Sequence, residues 1–314
     1  MMNNSRFSPL TADLCLLGVT AIWGATFVTV KNALPYIPTF SFLAVRFLIA
    51  AVCLAAIYPS RVKALNRRTL RAGILIGVFL FAGYGFQTFG LVYTTASNAG
   101  FITGLSVVIV PMIMTVITRQ MPAWPTTLGV ISATTGLGLL SLGDTWQINV
   151  GDGLVLLCAF GFALHIVTVG RYAPNLDTVA LAVVQIATVA VLSGLCATFF
   201  ETWPERIAQN VWMAWLITAI PATSLAFLIQ NTMQKFTTAT RTAIVFSMEP
   251  VFSAIFAYYL AGEVLTMRSL VGCGLILLGM VLAEAKLPPL NKLLSSSTSS
   301  WLTAKNQHSD QYSK

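Results

Sequence analysis

Glu249 and Pro250 stand together inside an otherwise apolar run, SMEPVFSAIFAYYLAGE, Ser247–Glu263. A carboxylate at mid-hydrocarbon depth costs about 2.5–3.5 kcal/mol on insertion scales, so Glu249 is expected to face an interior or water rather than lipid. Pro250 has no N–H to give the carbonyl of Phe246, which leaves a polar backbone group free to line a cavity. Three roles fit: a ligand for a substrate amine, a proton carrier, or a protonated acid that bonds a neighbouring helix and supports a kink.

Few other residues could do chemistry. His165 is ionisable near neutral pH and is a candidate relay partner for Glu249, or an interhelical hydrogen-bond partner. Arg46 and Lys31 lie toward one end of their apolar runs and can snorkel to the surface. Snorkelling is the better account for Lys31; at Arg46 attraction of a substrate carboxylate is the alternative. Gln87 and Gln230 are either hydrogen-bonded gates or helix glue of about 1 kcal/mol. Trp23, at mid-run, either lines a pocket for an apolar or cationic group or simply packs. Ala96, Gly100 and Gly104, with Ala239, Ala243 and Ser247, form two small-residue stripes that predict close helix contact.

The elements that must position these residues follow from composition. The chain is 56% hydrophobic and 9% charged, against about a quarter charged for a soluble domain. Its apolar stretches are continuous, and about 20 residues of helix cross a hydrocarbon core of about 30 Å. These features predict an all-α integral membrane protein with ten spans, near 13–33, 39–59, 72–91, 96–118, 124–142, 152–171, 178–200, 212–233, 241–261 and 267–286. Strands of a barrel would alternate instead. The first apolar run is too long for a cleaved leader and is expected to stay as the first span. Cys15, Cys53, Cys158, Cys196 and Cys273 all fall within spans, so no disulfide framework is expected.

The chain also repeats itself. FVTVKNALPYIPT at Phe27 matches IVTVGRYAPNLDT at Ile166 at an offset of 139. TTASNAG at Thr94 matches TTATRTA at Thr237, and Gln87, Gly129 and Gly136 match Gln230, Gly272 and Gly279, all at 143. The shift between offsets implies about four extra residues between the second and third spans of the second half. Two halves, 13–142 and 152–286, would then have five spans each, flanked by tails at 1–12 and 287–314. Five is odd, so the second half enters the membrane inverted, the arrangement behind alternating access in secondary transporters.

The net charge of +8 reads as orientation rather than nucleic-acid binding. With the N-terminus cytoplasmic, 14 of the 18 Lys and Arg residues, including Arg61, Lys63, Arg67, Arg68 and Arg71, fall on the cytoplasmic side. That split predicts a multi-pass protein of a bacterial-type inner membrane with both termini inside. The Ser-rich tail after Leu294 reads as a disordered end. A rival class, an intramembrane enzyme acting on a lipid or small amphipathic substrate, would need a nucleophile with its base or a set of metal ligands. The chain offers only His165 and His308, and no H-E-x-x-H, G-x-S-x-G or P-loop. No cofactor or metal is expected. The partners expected are the bilayer, a small molecule and protons, with the chain a monomer or homodimer.

AIWGATFVTVK at Ala21, TTASNAGFITGL at Thr94, SMEPVFSAIFAYYLAGE at Ser247 and GCGLILLGMVL at Gly272 resemble the EamA-type branch of the drug/metabolite transporter superfamily. The resemblance covers about residues 10–286. One departure is Arg119-Gln120 where the repeat partner has Gly262-Glu263. The resemblance implies a ten-span permease, exporting amino acids or related small metabolites, with drug or organic-cation efflux as the alternative within the class.

Overall fold

The computed structural model describes residues 7–94, 96–141, 150–261 and 266–284. The 287–314 tail, residues 1–6 of the 1–12 tail and Gly262-Glu263 lie outside the described residues. The described chain is helical: α1 Pro9–Ala33, α2 Thr39–Ile57, a short α3 Pro59–Lys63, α4 Arg67–Gly90, α5 Ala96–Gly104, α6 Ser106–Thr118 and α7 Trp124–Ser141. There follow α8 Val150–Tyr172, α9 Thr178–Phe200, α10 Gln209–Ala219, α11 Ala226–Met233, α12 Ala239–Phe246, α13 Glu249–Ala261 and α14 Met267–Glu284. Several helix starts are set by short polar side chains that accept an orphan amide: Ser8 from Thr11, Asn66 from Thr69, Asp177 from Ala180 and Thr238 from Arg241.

Among the described residues six stretches are long and apolar enough to cross a membrane: 9–33, 39–57, 67–90, 150–175, 178–200 and 209–236. Large apolar side chains such as Val52, Val116, Phe199 and Phe200 point outward. Such a surface suits hydrocarbon and not water, and the chain is a multi-pass membrane protein. The expected spans at 96–118 and 241–261 are each divided rather than continuous, into α5 and α6 and into α12 and α13. Pro250 accounts for the second break. The first, at Leu105, has tight i→i−3 bonds on both sides, Leu105 to Ile102 and Val108 to Leu105. Glu249 and Ser106 begin the resumed helices, and they are 143 positions apart.

A third irregularity lies between α10 and α11. Pro221 cannot donate to the carbonyl four residues back, and residues Ile220–Leu225 form a π-helical turn. The hydroxyls of Thr223 and Ser224 donate to the carbonyls of Thr218 and Ala219, taking up freed acceptors.

The four extra residues of the second half lengthen a helix rather than a loop. Helix α9 has 23 residues where α2 has 19. The added turn delivers Glu201, whose carboxylate accepts from the Phe40 and Ser41 amides and the Ser41 hydroxyl at 2.7–2.8 Å, capping α2. At the other end of the same helix pair, Arg61 bonds Asp177 at 2.9 Å. Helices α2 and α9 are thereby clamped at both ends.

Helices α7 and α14 cross closely. A side chain at Gly129 would lie 2.7 Å from the Gly279 carbonyl, and one at Gly136 would lie 2.5 Å from that of Gly272. Low numbers meet high ones, so the two helices run antiparallel. The small-residue stripes are less uniform. Gly104 packs on Leu137, and Ala239, Ala243 and Ser247 are buried. Gly100 faces open space within this chain, with nothing within 4 Å of where a side chain would begin. The side chain of Ala96 lies outside the described residues.

Candidate functional site

The break before α13 places Glu249 in the first turn of a helix, where amide groups point toward it and the helix dipole favours negative charge. Gly24 of α1 packs against this turn: a side chain at Gly24 would lie 3.0 Å from the Glu249 carbonyl and 2.8 Å from Phe252 Cβ. The Trp-Gly of the first helix and the Glu-Pro of the ninth expected span therefore meet.

Arg46 is buried, 3% exposed, so it does not snorkel. It is seven residues into α2, and its guanidinium turns inward: Nε donates to Thr223 Oγ1 at 2.9 Å. It lies over the rings of Tyr84 and Phe47, 5.0 and 5.4 Å from their centroids, a cation–π arrangement. Arg46 and Glu249 come to one region of the bundle, since Trp23, beside the Gly24 that packs on the Glu249 turn, bonds the residue next to the Thr223 that holds Arg46. Among the described residues the ion pairs are Arg61–Asp177 and Arg241–Asp13, so the two are not in salt-bridge contact. Lys31 is exposed.

Trp23 Nε1 donates to the Ala222 carbonyl at 2.8 Å. Trp23 and Arg46 thus bond consecutive residues of the π turn, whose distortion frees a carbonyl for one and presents a hydroxyl to the other. One turn on, Phe227 forms the centre of an aromatic cluster. Its ring lies 5.7 Å from Trp23, 5.8 Å from His165, 6.3 Å from Tyr84 and 6.5 Å from Phe47. Phe246, the residue whose carbonyl Pro250 leaves unserved, is edge-on to Trp23 at 5.0 Å.

His165 meets this cluster in a T-shaped contact with Phe227, and its Nε2 pairs with Gln185 Oε1 at 2.8 Å. Both are buried, and Gln185 occupies the position that Arg46 holds in the first half. The structure thus gives His165 the interhelical bond and not a direct contact with Glu249. Gln87 Nε2 donates to Thr103 Oγ1 at 3.2 Å, tying α4 to α5. Gln230 Nε2 donates to Gln234 Oε1 at 3.2 Å, and Gln234 in turn donates to the Ile166 carbonyl, tying α11 to α8.

Sequence reasoning missed Tyr84, Thr223 and Phe227, since an aromatic or a Thr in an apolar run carries no spacing signal. It also missed Asp13 and Asp152, for which a signal existed: they are 139 apart, the first repeat offset. Asp13, 5% exposed, pairs with Arg241 at 3.0 Å, joining α1 to α12. Asp152, 6% exposed, accepts from Thr94 Oγ1 at 2.5 Å, joining α8 to the segment before α5. Thr94 opens TTASNAG and Arg241 lies within TTATRTA, so equivalent acids hold equivalent motifs.

Helix breaks, a buried arginine, an intramembrane acid and an aromatic cluster inside an apolar bundle suit a membrane transporter. The chain belongs to the EamA-like transporter family, which it matches over residues 10–142 and 149–284, once per half. It is 36% identical to an uncharacterized transporter of Archaeoglobus fulgidus over 88% of this chain and 87% of that one. It is 24% identical to the uncharacterized transporter YyaM of Bacillus subtilis over 90% and 97% of the two chains. A crystal structure of a protein 18% identical superposes with a TM-score of 0.75, covering 88% of this chain and 99% of that one, and shares the fold.

Proposed function

We propose that this protein is a secondary transporter with ten crossings in two inverted halves, which exports amino acids or related zwitterionic metabolites by alternating access. Both termini are cytoplasmic in this reading. The observation that carries it is the placing of a basic and an acidic side chain, Arg46 and Glu249, in one region of the bundle without a salt bridge between them. A zwitterion satisfies both at once, its carboxylate on Arg46 and its amine on Glu249, with its side chain against Trp23 and Phe227. Arg46 counts against a purely cationic substrate, which it would repel.

The acids at Asp13 and Asp152 supply the closures. By the repeat they sit at opposite ends of the bundle, so Asp13–Arg241 would close the cytoplasmic end and Asp152–Thr94 the external end. Alternating access breaks one while keeping the other. Counterflow in reconstituted vesicles tests the whole reading. Vesicles preloaded with a panel of unlabelled amino acids should accumulate the matching labelled one. If none of the panel drives uptake while organic cations do, the substrate assignment fails; if no solute moves, the transport mechanism fails.

A further inference from the structure

Away from the charged interior, an apolar groove of about 430 Å³ opens on the outer wall of the bundle between α9 and the start of α4. Its walls include Val62, Leu70, Ile74, Val184, Ala187 and Val191. We propose that this groove binds one anionic phospholipid, an acyl chain lying along α9 and the headgroup phosphate held by Arg67 and Arg71.

The register of α4 carries the assignment. Arg67, Leu70, Arg71 and Ile74 are spaced i, i+3, i+4, i+7 and so share one helix face. Leu70 and Ile74 line the groove, so the two arginines stand at its polar end on the same stripe. Arg61, at the same end, is occupied by Asp177. Among the described residues Arg67 and Arg71 pair with no carboxylate, and both are exposed. Helix α4 begins here, so the positive end of its dipole adds to the same field. Apolar walls topped by two uncompensated guanidiniums match a ligand with a long chain and a phosphate. A zwitterionic lipid fits the groove as well but brings its own cation to the arginines. Arg68, about 100° round the helix from Arg67, lies off this stripe and provides the control.

Native mass spectrometry of the full-length protein, titrated with phosphatidylglycerol, phosphatidylcholine and inorganic phosphate, tests this. Wild type should retain phosphatidylglycerol in preference to phosphatidylcholine. Arg67→Gln with Arg71→Gln should weaken retention of phosphatidylglycerol roughly thirty-fold, at about fivefold per arginine beside an anionic headgroup. Arg68→Gln should leave it unchanged, and Ile74→Trp, which fills the groove without altering charge, should also weaken it. All three arginines are exposed, so folding does not depend on them. Equal loss in Arg68→Gln would show a diffuse surface-charge effect and overturn the site. Saturation by inorganic phosphate alone, or no preference between the two lipids, would overturn it too.

Discussion

Ser132 donates its hydroxyl to the carbonyl of Leu275 at 2.7 Å, and the two residues are 143 positions apart, the offset that relates the two halves. Residues equivalent by repeat touch each other only at a symmetry axis. On either side of this bond Gly129 meets Gly279 and Gly136 meets Gly272, one contact being the repeat image of the other. Equivalent helices that cross antiparallel are what an inverted duplication produces locally. In this crossing backbone lies against backbone, so neither helix can yield by moving a side chain.

Gly136→Ala should therefore destabilise the protein by about 1–3 kcal/mol, the cost of overpacking a tight contact. Gly100→Ala, whose new methyl would enter open space, should be neutral. Ser132→Ala should cost about 0.6 kcal/mol, the average for an interhelical bond in a membrane. Thermal unfolding in one detergent ranks the three, and a Gly136→Ala protein as stable as wild type would mean the crossing is looser than described.

Orientation follows from the charge split. Reporter fusions at Asn66 and in the tail should read cytoplasmic, and one at Ala208 external. An external Asn66 would reverse the sides assigned to Asp13 and Asp152 and leave their equivalence intact.

Breaking a closure should open one end only. Asp13→Asn should raise labelling of a cysteine introduced near Met233 by a reagent confined to the cytoplasmic side. Asp152→Asn should raise labelling near Tyr93 from the outside. The charge exchange Asp13→Arg with Arg241→Asp should restore protection, because the 3.0 Å pair is retained with its sign reversed. Failure of the exchange together with unchanged labelling in both single variants would reduce the two acids to packing.

Arg46 and Thr223 separate binding from structure. Thr223→Val conserves side-chain shape but removes the partner of Arg46 Nε, together with the hydroxyl that serves the Thr218 carbonyl in the π turn, so the guanidinium loses its aim. A hydrogen bond to a charged group is worth about 1.5–3 kcal/mol, so substrate affinity should fall by roughly ten- to a hundred-fold. Arg46→Lys should not rescue it, since an ammonium cannot hold Thr223 and a carboxylate in the same fixed geometry. Binding to the purified protein measures both.

The helical architecture and the duplication were legible in the sequence because they rest on quantities that add along the chain: apolar length and matched offsets. Glu249 and its break were legible because Pro250 acts on the backbone locally. The π turn at Pro221 has the same local cause but lies in a run without a charge to draw notice to it. Arg46 was harder. Seven residues into its helix it could have reached either the surface or the interior, and the choice was made by Tyr84 and Thr223, on helices distant in sequence. The aromatic cluster at Phe227 was illegible for the same reason, since five helices converge to form it.

Glu249 carries the sharpest test. It begins α13 at a helix break, packed against Gly24 of α1, where a change in helix angle would move it relative to α1. If it carries a coupling proton, Glu249→Gln should keep the fold and some substrate binding. It should then abolish uphill transport driven by a pH gradient, while exchange at equal concentrations survives. If it binds the substrate amine, exchange and binding should fall together, by roughly ten-fold or more for a charge-assisted bond. If it only supports the helix break, the Gln variant should transport like wild type, and both functional roles fail. Vesicles with an imposed pH gradient, assayed beside vesicles without one, separate the three outcomes.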